Sequence, residues 1–244
     1  MAVKTKQNFA VKGYIPLSML DWEGRLVTTV FLGGCNFHCS FCHNAELVTG
    51  AGRLPDVPWD IVEGVLAEKA GWIDGVCVSG GEPTLDSGLV ELLRLIKKNN
   101  LEVKLDTNGT RPDVLHHLID EALVSAVAMD IKTTFEKYCL VAKAPDAAER
   151  VRESIGLLVK AEAKGLLEVE FRTTVVPTIV EREDVLQIAH YLRDAGAGRY
   201  TLQQFNPKTV MTPAAGKIKP LTTEALKELV EEVSAVLPPT NAPA

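Results

Sequence analysis

The 244-residue sequence has few aromatic side chains, no long apolar run and no excess of basic residues. Phe, Trp and Tyr make up 6% of it, and 26 basic side chains face 32 acidic ones, for a net charge of −6. Because basic residues do not outnumber acidic ones, the composition argues against nucleic acid or an anionic membrane as the main partner. No apolar segment approaches the roughly 18 residues of a membrane span, and no signal-peptide stretch follows Met1. We therefore expect a cytoplasmic protein that binds neither nucleic acid nor membrane.

Cysteine is also scarce, and its distribution is uneven. Five are present, of which Cys35, Cys39 and Cys42 fall within eight residues while Cys77 and Cys139 stand alone. An odd total in a chain expected in the cytoplasm argues against a disulfide framework, because that compartment keeps thiols reduced. The close trio is therefore interpreted as a set of ligands, and Cys77, flanked by valines, as a core residue.

Short apolar segments alternate with segments of helical spacing, which is the pattern of a parallel α/β sheet. Segments rich in Val, Leu and Ile predict strands buried on both faces at 26–31, 75–79, 102–106, 126–131, 169–176 and 200–204. Apolar residues at helical spacing predict helices around 61–66, 89–96, 114–118, 151–159 and 185–192.

Six strands favour an open barrel, since a closed eight-stranded barrel takes about 250 residues on its own. We predict an α/β fold, a partial (β/α)6 TIM-like barrel, with a doubly wound sheet as the alternative because periodicity fixes neither closure nor strand order. A single domain is expected over 1–244, with its core at about 13–207 and a C-terminal helix at about 222–236. The proline-rich end from Pro238 predicts a frayed, disordered tail.

The cysteine trio lies in a loop just past the first predicted strand, at the end of a parallel barrel where reacting groups collect. Gly33 and Gly34 precede it and would let the backbone bend closely around a bulky cofactor. Thiolates select zinc, copper or iron–sulfur clusters. A structural zinc with His38 or His43 as fourth ligand is the alternative, but zinc ligands usually come in two separated pairs and no second pair is present. Three cysteines on a four-iron cluster would leave one iron open for chemistry.

The sequence Cys35-x3-Cys39-x2-Cys42, with Phe41 before the last cysteine, resembles the cluster loop of radical S-adenosylmethionine (SAM) enzymes. The following His43-Asn44 and the lead-in from Gly24 to Gly34 resemble the branch that activates glycyl-radical enzymes. Within that branch the chain most resembles the activating proteins of anaerobic ribonucleoside-triphosphate reductase, from about residue 13 to 207. The resemblance implies a radical SAM type of partial barrel.

A second motif, Gly80-Gly81-Glu82-Pro83, follows the second predicted strand. It resembles the segment of this family that grips the SAM amino group, in which glycines bring carbonyl oxygens close to an ammonium and Glu82 supplies negative charge. Taken alone it would more often be an ordinary turn with a solvated glutamate.

Further motifs end the later predicted strands. Asp106-Thr107-Asn108-Gly109 and Met129-Asp130-Ile131-Lys132 resemble activase segments in which the two aspartates, with nearby backbone oxygens such as that of Thr107, hold a monovalent cation beside the SAM carboxylate and Lys132 reaches SAM. Alternatively, Asp106 caps a turn and Asp130 pairs with Lys132.

Two positions on the last predicted strands complete the resemblance. Arg172 matches the arginine that meets the SAM carboxylate, with a salt bridge to Glu170 or another acid as the alternative. Asn206 stands where some activases carry a histidine.

The resemblance thus implies one 4Fe-4S cluster on the cysteine trio, with SAM bound by Phe41, Gly80, Gly81, Glu82, Asp106, Asp130, Lys132, Arg172 and Asn206. It implies reductive cleavage of SAM and removal of a glycine Cα hydrogen, with no side chain acting as acid or base. The implied partners are a glycyl-radical enzyme, first of all anaerobic ribonucleotide reductase, and flavodoxin or ferredoxin as electron donor. A pyruvate formate-lyase type of target, a small molecule or peptide substrate, and a non-catalytic metal-binding module stay open as rivals.

Overall fold

A computed structural model describes residues 8–237, which fold around one seven-stranded sheet. The strands are β1 (Val11–Ser18), β2 (Val27–Leu32), β3 (Gly75–Gly80), β4 (Glu102–Thr107), β5 (Ala126–Asp130), β6 (Glu168–Val175) and β7 (Tyr200–Gln204). Each strand pairs with the next one in the chain, β1 antiparallel to β2 and all later pairs parallel. No pairing joins β1 to β7 in the described part of the chain. The fold is therefore the predicted open, partial TIM-like barrel, and its sequential strand order contradicts the doubly wound alternative.

All six predicted strands are present, and their ends differ from the prediction by at most one residue. The strand that the sequence did not predict is β1, whose Gly13 and Pro16 are residue types depleted in strands. Pro16 is tolerated because β1 is an edge strand, where a missing backbone N–H need not break a ladder between two neighbours.

Eight helices lie between or after the strands in the described residues. They are α1 (Ala45–Thr49), α2 (Trp59–Glu68), α3 (Leu89–Lys97), α4 (Pro112–Asp120), α5 (Tyr138–Ala142), α6 (Ala147–Ala163), α7 (Arg182–Ala195) and α8 (Thr223–Val236). Every predicted helix is present. Helices α1 and α5 were not predicted, because five residues are too few to display a helical period. The tail predicted from Pro238 lies outside the described residues, and none of the helices within 8–237 is long and apolar enough to cross a membrane.

The helices pack on the outer face of the sheet and form the main core with it. On α3 the apolar stripe of Leu89, Leu92, Leu93 and Ile96 is fully buried, and each such side chain stabilises the fold by about 1.5–3 kcal/mol. Helix α7 begins with a reciprocal capping box between Glu181 and Asp184 and ends at a left-handed Gly196.

The inner face of the barrel is polar, which corrects the expectation of strands with apolar cover on both faces. Lys104 and Asp106 on β4 occupy alternate positions of one face, and in the parallel ladder Asp130 of β5 lies opposite Arg172 of β6. All four carry charge inside the barrel, so they must be paired with one another or with a ligand.

The segment between β1 and β2 closes the amino-terminal end of the barrel. Trp22 is buried there against Val27, Cys77 and Ala126, which confirms Cys77 as a core residue. Ion pairs join the same segment to the far side of the barrel, Arg25 to Glu168 at 3.2 Å and Glu23 to Arg199. The interior is therefore left accessible from the carboxyl ends of the strands.

Candidate functional site

The cysteine loop crosses the carboxyl end of the barrel between β2 and α1. Three backbone hydrogen bonds tie it to surrounding elements: Gly34 N–H donates to the Leu47 carbonyl at 2.7 Å, His38 N–H to that of Ala142 at 3.0 Å, and Thr212 N–H to that of Ser40 at 3.1 Å. Cys35, Cys39 and Cys42 all line one cavity of about 360 Å³ at this end. The structure thus brings the three predicted ligands together over the strand ends.

Two glycines of the second motif allow close packing against this loop. A Cβ on Gly81 would lie 1.9 Å from the Gly34 carbonyl oxygen, and Gly80 has a φ of +131°, where only glycine is unstrained. Glu82 N–H donates to the Gly34 carbonyl at 2.7 Å, and the Asn44 side chain donates to the Gly80 carbonyl at 2.7 Å. Any side chain on Gly81 would therefore displace the cysteine loop.

Burial favours the protonated form of the Cys35 and Cys39 thiols. Burial raises the pKa of Cys35 to about 12 and that of Cys39 to about 11. Cys35 Sγ nevertheless accepts the Phe37 N–H at 3.3 Å and faces Asn108 Nδ2 at 3.8 Å, and such donors favour a thiolate. The iron of a bound cluster would favour the thiolate form of these cysteines, which is the form that ligates metal.

The donor set fits an iron–sulfur cluster better than a single ion. Within residues 8–237, no three His, Cys, Asp or Glu side chains are arranged around one point that could hold a metal ion. Cys35, Cys39 and Cys42 are instead spread along the wall of a shared cavity, where a four-iron cluster could join them. The arrangement gives no support to the structural zinc alternative.

The Glu82 side chain lies behind the cavity and joins two loops. It is 1% exposed, and its carboxylate accepts hydrogen bonds from the Thr84 backbone at 3.0 Å, the Thr107 hydroxyl at 2.8 Å and the Asn108 backbone at 2.6 Å, as well as from the Thr84 hydroxyl. Burial raises the pKa of Glu82, and these donors oppose the shift. The residue thereby fixes the loop after β3 to the loop after β4.

Charged side chains at the ends of β4, β5 and β6 form one ladder beside the cysteines. Arg172 Nε donates to Asp130 Oδ1 at 2.9 Å, and its Nη2 lies 3.4 Å from Asp106 Oδ1. Lys132 Nζ binds the other oxygen of Asp130 at 2.8 Å, and Lys104 Nζ lies 3.3 Å from Asp106. Three cations thus alternate with two carboxylates, and all of these groups except Lys104 line the cavity, where Asp21 adds a third carboxylate.

The electrostatics of the ladder follow from this alternation. Burial alone would raise the pKa of Asp130, but the charges of Arg172 and Lys132 hold it well below the usual value of an aspartate. Burial alone would lower the pKa of Arg172, but Asp106 and Asp130 raise it. Both alternatives weighed from the sequence are therefore present as contacts, since Asp130 pairs with Lys132 and Arg172 pairs with neighbouring acids.

The region between the two aspartates is occupied by the Arg172 guanidinium, which contacts both. Asp106 Oδ1 is buried and has no hydrogen bond among the described residues, although two cations lie within 3.5 Å of it. Thr107 faces the cavity while its hydroxyl donates to Glu82. The monovalent cation stays a prediction.

The remaining predicted site residues separate into two groups. Phe41 is buried and lines the cavity, as do Gly80 and Gly81. Asn206 is exposed, outside the cavity wall, and its carbonyl oxygen lies 3.0 Å from His43 Nε2. The nearby His43 and Phe205 rings stack with centroids 6.2 Å apart, so Asn206 contributes to holding the end of the cysteine loop.

Several cavity residues were missed from the sequence. Asn108 donates to Asn36 Oδ1 at 2.9 Å as well as facing Cys35, and Asn44 ties the two loops together. Lys104 bonds the Asp21 carbonyl from inside the barrel, and Gln203 lines the cavity from β7. A signal for Asn108 and Asn44 was available, since both lie within segments that carry the resemblance, Asp106-Thr107-Asn108-Gly109 and His43-Asn44. Nothing in the local sequence of Lys104 or Gln203 shows which way their side chains point.

Comparison with known sequences now decides the family. The sequence profile of the Radical SAM superfamily matches residues 29–198, from β2 to the residues just before β7. The chain belongs to the radical SAM superfamily. Membership accounts for the cysteine loop at the carboxyl end of an open barrel and implies a 4Fe-4S cluster and SAM as cofactors.

Two relatives indicate the branch of the superfamily. The chain is 32% identical over 222 residues to a Methanocaldococcus jannaschii protein named "putative glycyl-radical enzyme activating enzyme", which covers 90% of this chain and 89% of the relative. It is 26% identical over 193 residues to the pyruvate formate-lyase-activating enzyme of Clostridium pasteurianum, covering 73% and 74% of the two chains. Its homologues therefore include proteins named as activating enzymes.

A solved structure supports the fold alone. A radical SAM methyltransferase from Sphaerobacter thermophilus superposes with a TM-score of 0.66 at 17% identity, covering 91% of this chain and 67% of that one. The open barrel is thus shared with a solved member of the superfamily.

Proposed function

We propose that this protein is a glycyl-radical enzyme activase whose target is anaerobic ribonucleoside-triphosphate reductase. The observation that carries the proposal is the similarity to the M. jannaschii relative over about nine-tenths of both chains, which leaves little of either chain for a different architecture. The coarser radical SAM chemistry rests on the family itself, and the choice of target rests on the motif resemblance.

Cys35, Cys39 and Cys42 would hold the cluster, and the three backbone hydrogen bonds of the loop would keep it over the strand ends. A bound, reduced cluster would supply the electron for reductive cleavage of SAM, and that chemistry would remove the glycine Cα hydrogen. The protein's own task is to orient SAM and to shelter the reaction from other hydrogen donors.

The charged ladder suits one end of SAM, which carries an ammonium and a carboxylate. Arg172 and Lys132 line the cavity, and their N–H donors could meet the SAM carboxylate. The backbone of Gly80 and Gly81 lines the cavity beside the cysteines and could face the SAM ammonium. The Glu82 carboxylate would not contact SAM but would fix the position of that backbone. A monovalent cation near Asp106 and Thr107 is part of the proposal.

Cavity size supports a macromolecular substrate. A volume of about 360 Å³ is at the low end of the roughly 300–1,000 Å³ of ligand pockets, and the cluster and SAM must share it. A glycine on a protein loop could reach the site through the unpaired side of the barrel between β1 and β7. The proposed place of action is the cytoplasm, with flavodoxin or ferredoxin as electron donor.

The test is anaerobic incubation of the cluster-loaded protein with SAM, a reductant and purified anaerobic ribonucleotide reductase. A glycyl radical should be seen by electron paramagnetic resonance (EPR) spectroscopy on the reductase, and it should be absent from a reductase whose radical-site glycine is changed to alanine. Cys39→Ala should abolish the signal, and Cys139→Ala should keep it because Cys139 is exposed and outside the cavity.

Other outcomes distinguish the rivals. A radical on a pyruvate formate-lyase type of enzyme alone would overturn the target and keep the chemistry. SAM cleavage without a radical on any candidate protein would favour a small-molecule or peptide substrate. Zinc in the site with no SAM cleavage would favour a metal-binding module.

A further inference from the structure

The segment that follows the edge strand β7 is basic, although the chain as a whole carries a net charge of −6. Residues 206–221, which we call the basic segment, contain Lys208, Lys217 and Lys219 and no Asp or Glu. All three lysines are exposed, and none forms an ion pair within the part of the chain that the structure describes. Acids return at Glu224 on α8, which packs on α7 outside the barrel. The three ammonium groups are therefore available to an anionic partner.

The basic segment is held in place at the carboxyl end of the barrel. Thr212 N–H donates to the Ser40 carbonyl of the cysteine loop at 3.1 Å. The Gln204 side chain at the end of β7 donates to the Leu221 carbonyl at 2.6 Å, so the segment leaves β7 and returns to it. Between these contacts Ala215 is 2% exposed. The lysines are thus presented from an anchored segment beside the cysteine loop.

The opening of the barrel lies next to the basic segment. Within the described residues β7 pairs only with β6 and β1 only with β2, so the outer edges of β1 and β7 border the opening. Gln203, near the end of β7, lines the same cavity as Cys35, Cys39 and Cys42. A protein surface that covers the opening at the carboxyl end would therefore meet the basic segment on the β7 side.

The β1 side of the opening has a different chemical character. Ile15 and Leu17 are 41% and 48% exposed on this strand. Its one charged side chain, Lys12, is neutralised by Asp56 at 2.6 Å and also donates to the Leu54 carbonyl. The opening thus has an apolar wall on one side and three unpaired cations on the other, and a partner could distinguish the two sides.

We propose that the basic segment docks an acidic surface of the protein substrate, beside the loop that carries the reacting glycine. The contact would be ion pairing between the lysine ammonium groups and carboxylates of the partner, and it would set the orientation in which the glycine loop enters the barrel. Complementary charge speeds the encounter of two proteins and suppresses wrong arrangements. This inference rests on the proposed function, because it requires a protein substrate.

The asymmetry of the opening carries the orientation. An acidic surface placed over β1 would lie against Ile15 and Leu17 with no free cation on that strand to pair with. Carboxylates removed from water without a partner lower the affinity, so the reversed orientation is disfavoured. The partner is therefore expected to carry its acids on the side of the glycine loop that lies over β7.

The test measures binding of purified anaerobic ribonucleotide reductase to the cluster-loaded protein by anaerobic biolayer interferometry, with the reductase immobilised. EPR of the glycyl radical and chromatography of 5′-deoxyadenosine are recorded on the same proteins. The test variant changes three lysines of the basic segment to glutamine: Lys208, Lys217 and Lys219. The matched control makes the same change at three exposed lysines near the carboxyl ends of α3 and α6, at the opposite end of the barrel: Lys98, Lys160 and Lys164.

At low ionic strength we expect the test variant to bind the reductase about tenfold or more weakly, and the control variant to match the unmodified protein. High salt should weaken binding of the unmodified protein to the level of the test variant, because salt screens exposed charges. Saturating reductase should restore the radical yield of the test variant. Iron content, and SAM cleavage without the reductase, should be equal in all three proteins.

Equal affinity of the test variant and the unmodified protein for the reductase would overturn the proposal. Equal weakening in the test and control variants would also overturn it, since the effect would then follow net charge and not the basic segment. Binding of the unmodified protein without radical formation would overturn the proposed function and leave the docking surface supported. No binding of the unmodified protein to the reductase or to a pyruvate formate-lyase type of enzyme would overturn both.

Discussion

At the residue scale, the interior of the barrel depends on charges that neutralise one another. Asp130 accepts from both Arg172 and Lys132, and Arg172 also lies beside Asp106. Removing one carboxylate would leave three cations with a single carboxylate, which lowers the free energy of unfolding by more than the loss of a surface ion pair does. These residues therefore bear on stability as well as on the proposed binding of SAM.

We predict that Asp130→Asn lowers the free energy of unfolding at pH 7 by about 2 kcal/mol, below the roughly 3–5 kcal/mol of a fully buried pair because the Asp130 side chain is 26% exposed. Arg172 and Lys132 hold the folded pKa of Asp130 below its unfolded value. Its stabilising contribution is therefore complete above about pH 4 and is lost as the pH falls through the folded pKa. Urea unfolding between pH 3 and pH 7 should show the difference between the two proteins shrinking toward the acid end.

The control is Asp113→Asn, which removes the exposed partner of Arg111. It should lower the free energy of unfolding at pH 7 by at most about 1 kcal/mol, which is what an exposed ion pair contributes. An equal effect of the two substitutions at pH 7 would contradict the role given to the inner ladder.

At the element scale, the site depends on two loops that approach more closely than side chains permit. Gly81 and Gly34 are in backbone contact, and Glu82 binds the loop after β4 through Thr107 and Asn108. The loops after β2, β3 and β4 are thus one packed unit, so a change in one is transmitted to the cysteines.

We predict that Gly81→Ala displaces the cysteine loop and lowers the iron content after anaerobic reconstitution by at least severalfold. The physical reason is the 1.9 Å between an added Cβ and the Gly34 carbonyl oxygen, which only backbone movement can relieve. Iron and sulfide analysis measures the effect.

Gly64→Ala serves as the matched control, because Gly64 lies in α2 and an added Cβ meets nothing within 4 Å. It should keep the iron content and raise the free energy of unfolding by about 0.5–1 kcal/mol, as alanine is favoured over glycine in a helix. Full iron loading of Gly81→Ala would show that the loops are less tightly coupled than their contacts indicate.

At the scale of the whole molecule, the barrel is open on one side. Ile15 pairs with Thr29, whose hydroxyl binds Asp21 of the cavity wall, and Ile15 and Leu17 are 41% and 48% exposed on the edge strand. The opening between β1 and β7 therefore has an apolar wall on its β1 side. Such a wall suits contact with a protein surface more than with water.

We predict that Ile15→Glu lowers glycyl radical formation on the protein partner severalfold, while SAM cleavage in the absence of a partner changes less than twofold. The charge would disfavour contact with an entering loop without touching the charged ladder. EPR quantification of the radical and chromatography of 5′-deoxyadenosine measure the two quantities.

Ile61→Glu is the control, because Ile61 is 49% exposed on α2, on the outside of the barrel. It should leave both quantities unchanged. Equal losses of radical formation in the two variants would argue against entry of the partner beside β1.

The sequence determined the order of strands and helices, because apolar periodicity is a local property that burial enforces on each element. It also indicated the family, because the cysteine spacing that carries the resemblance lies within one loop, and the three cysteines stay the predicted cluster ligands. Only the tertiary structure decided that β1 joins the sheet as an edge strand, that the strands lie side by side in chain order, and that Arg172 lies between Asp106 and Asp130. Those features depend on pairings between segments far apart in the chain, where the partner of a charge is set by strand register and not by its neighbours in sequence.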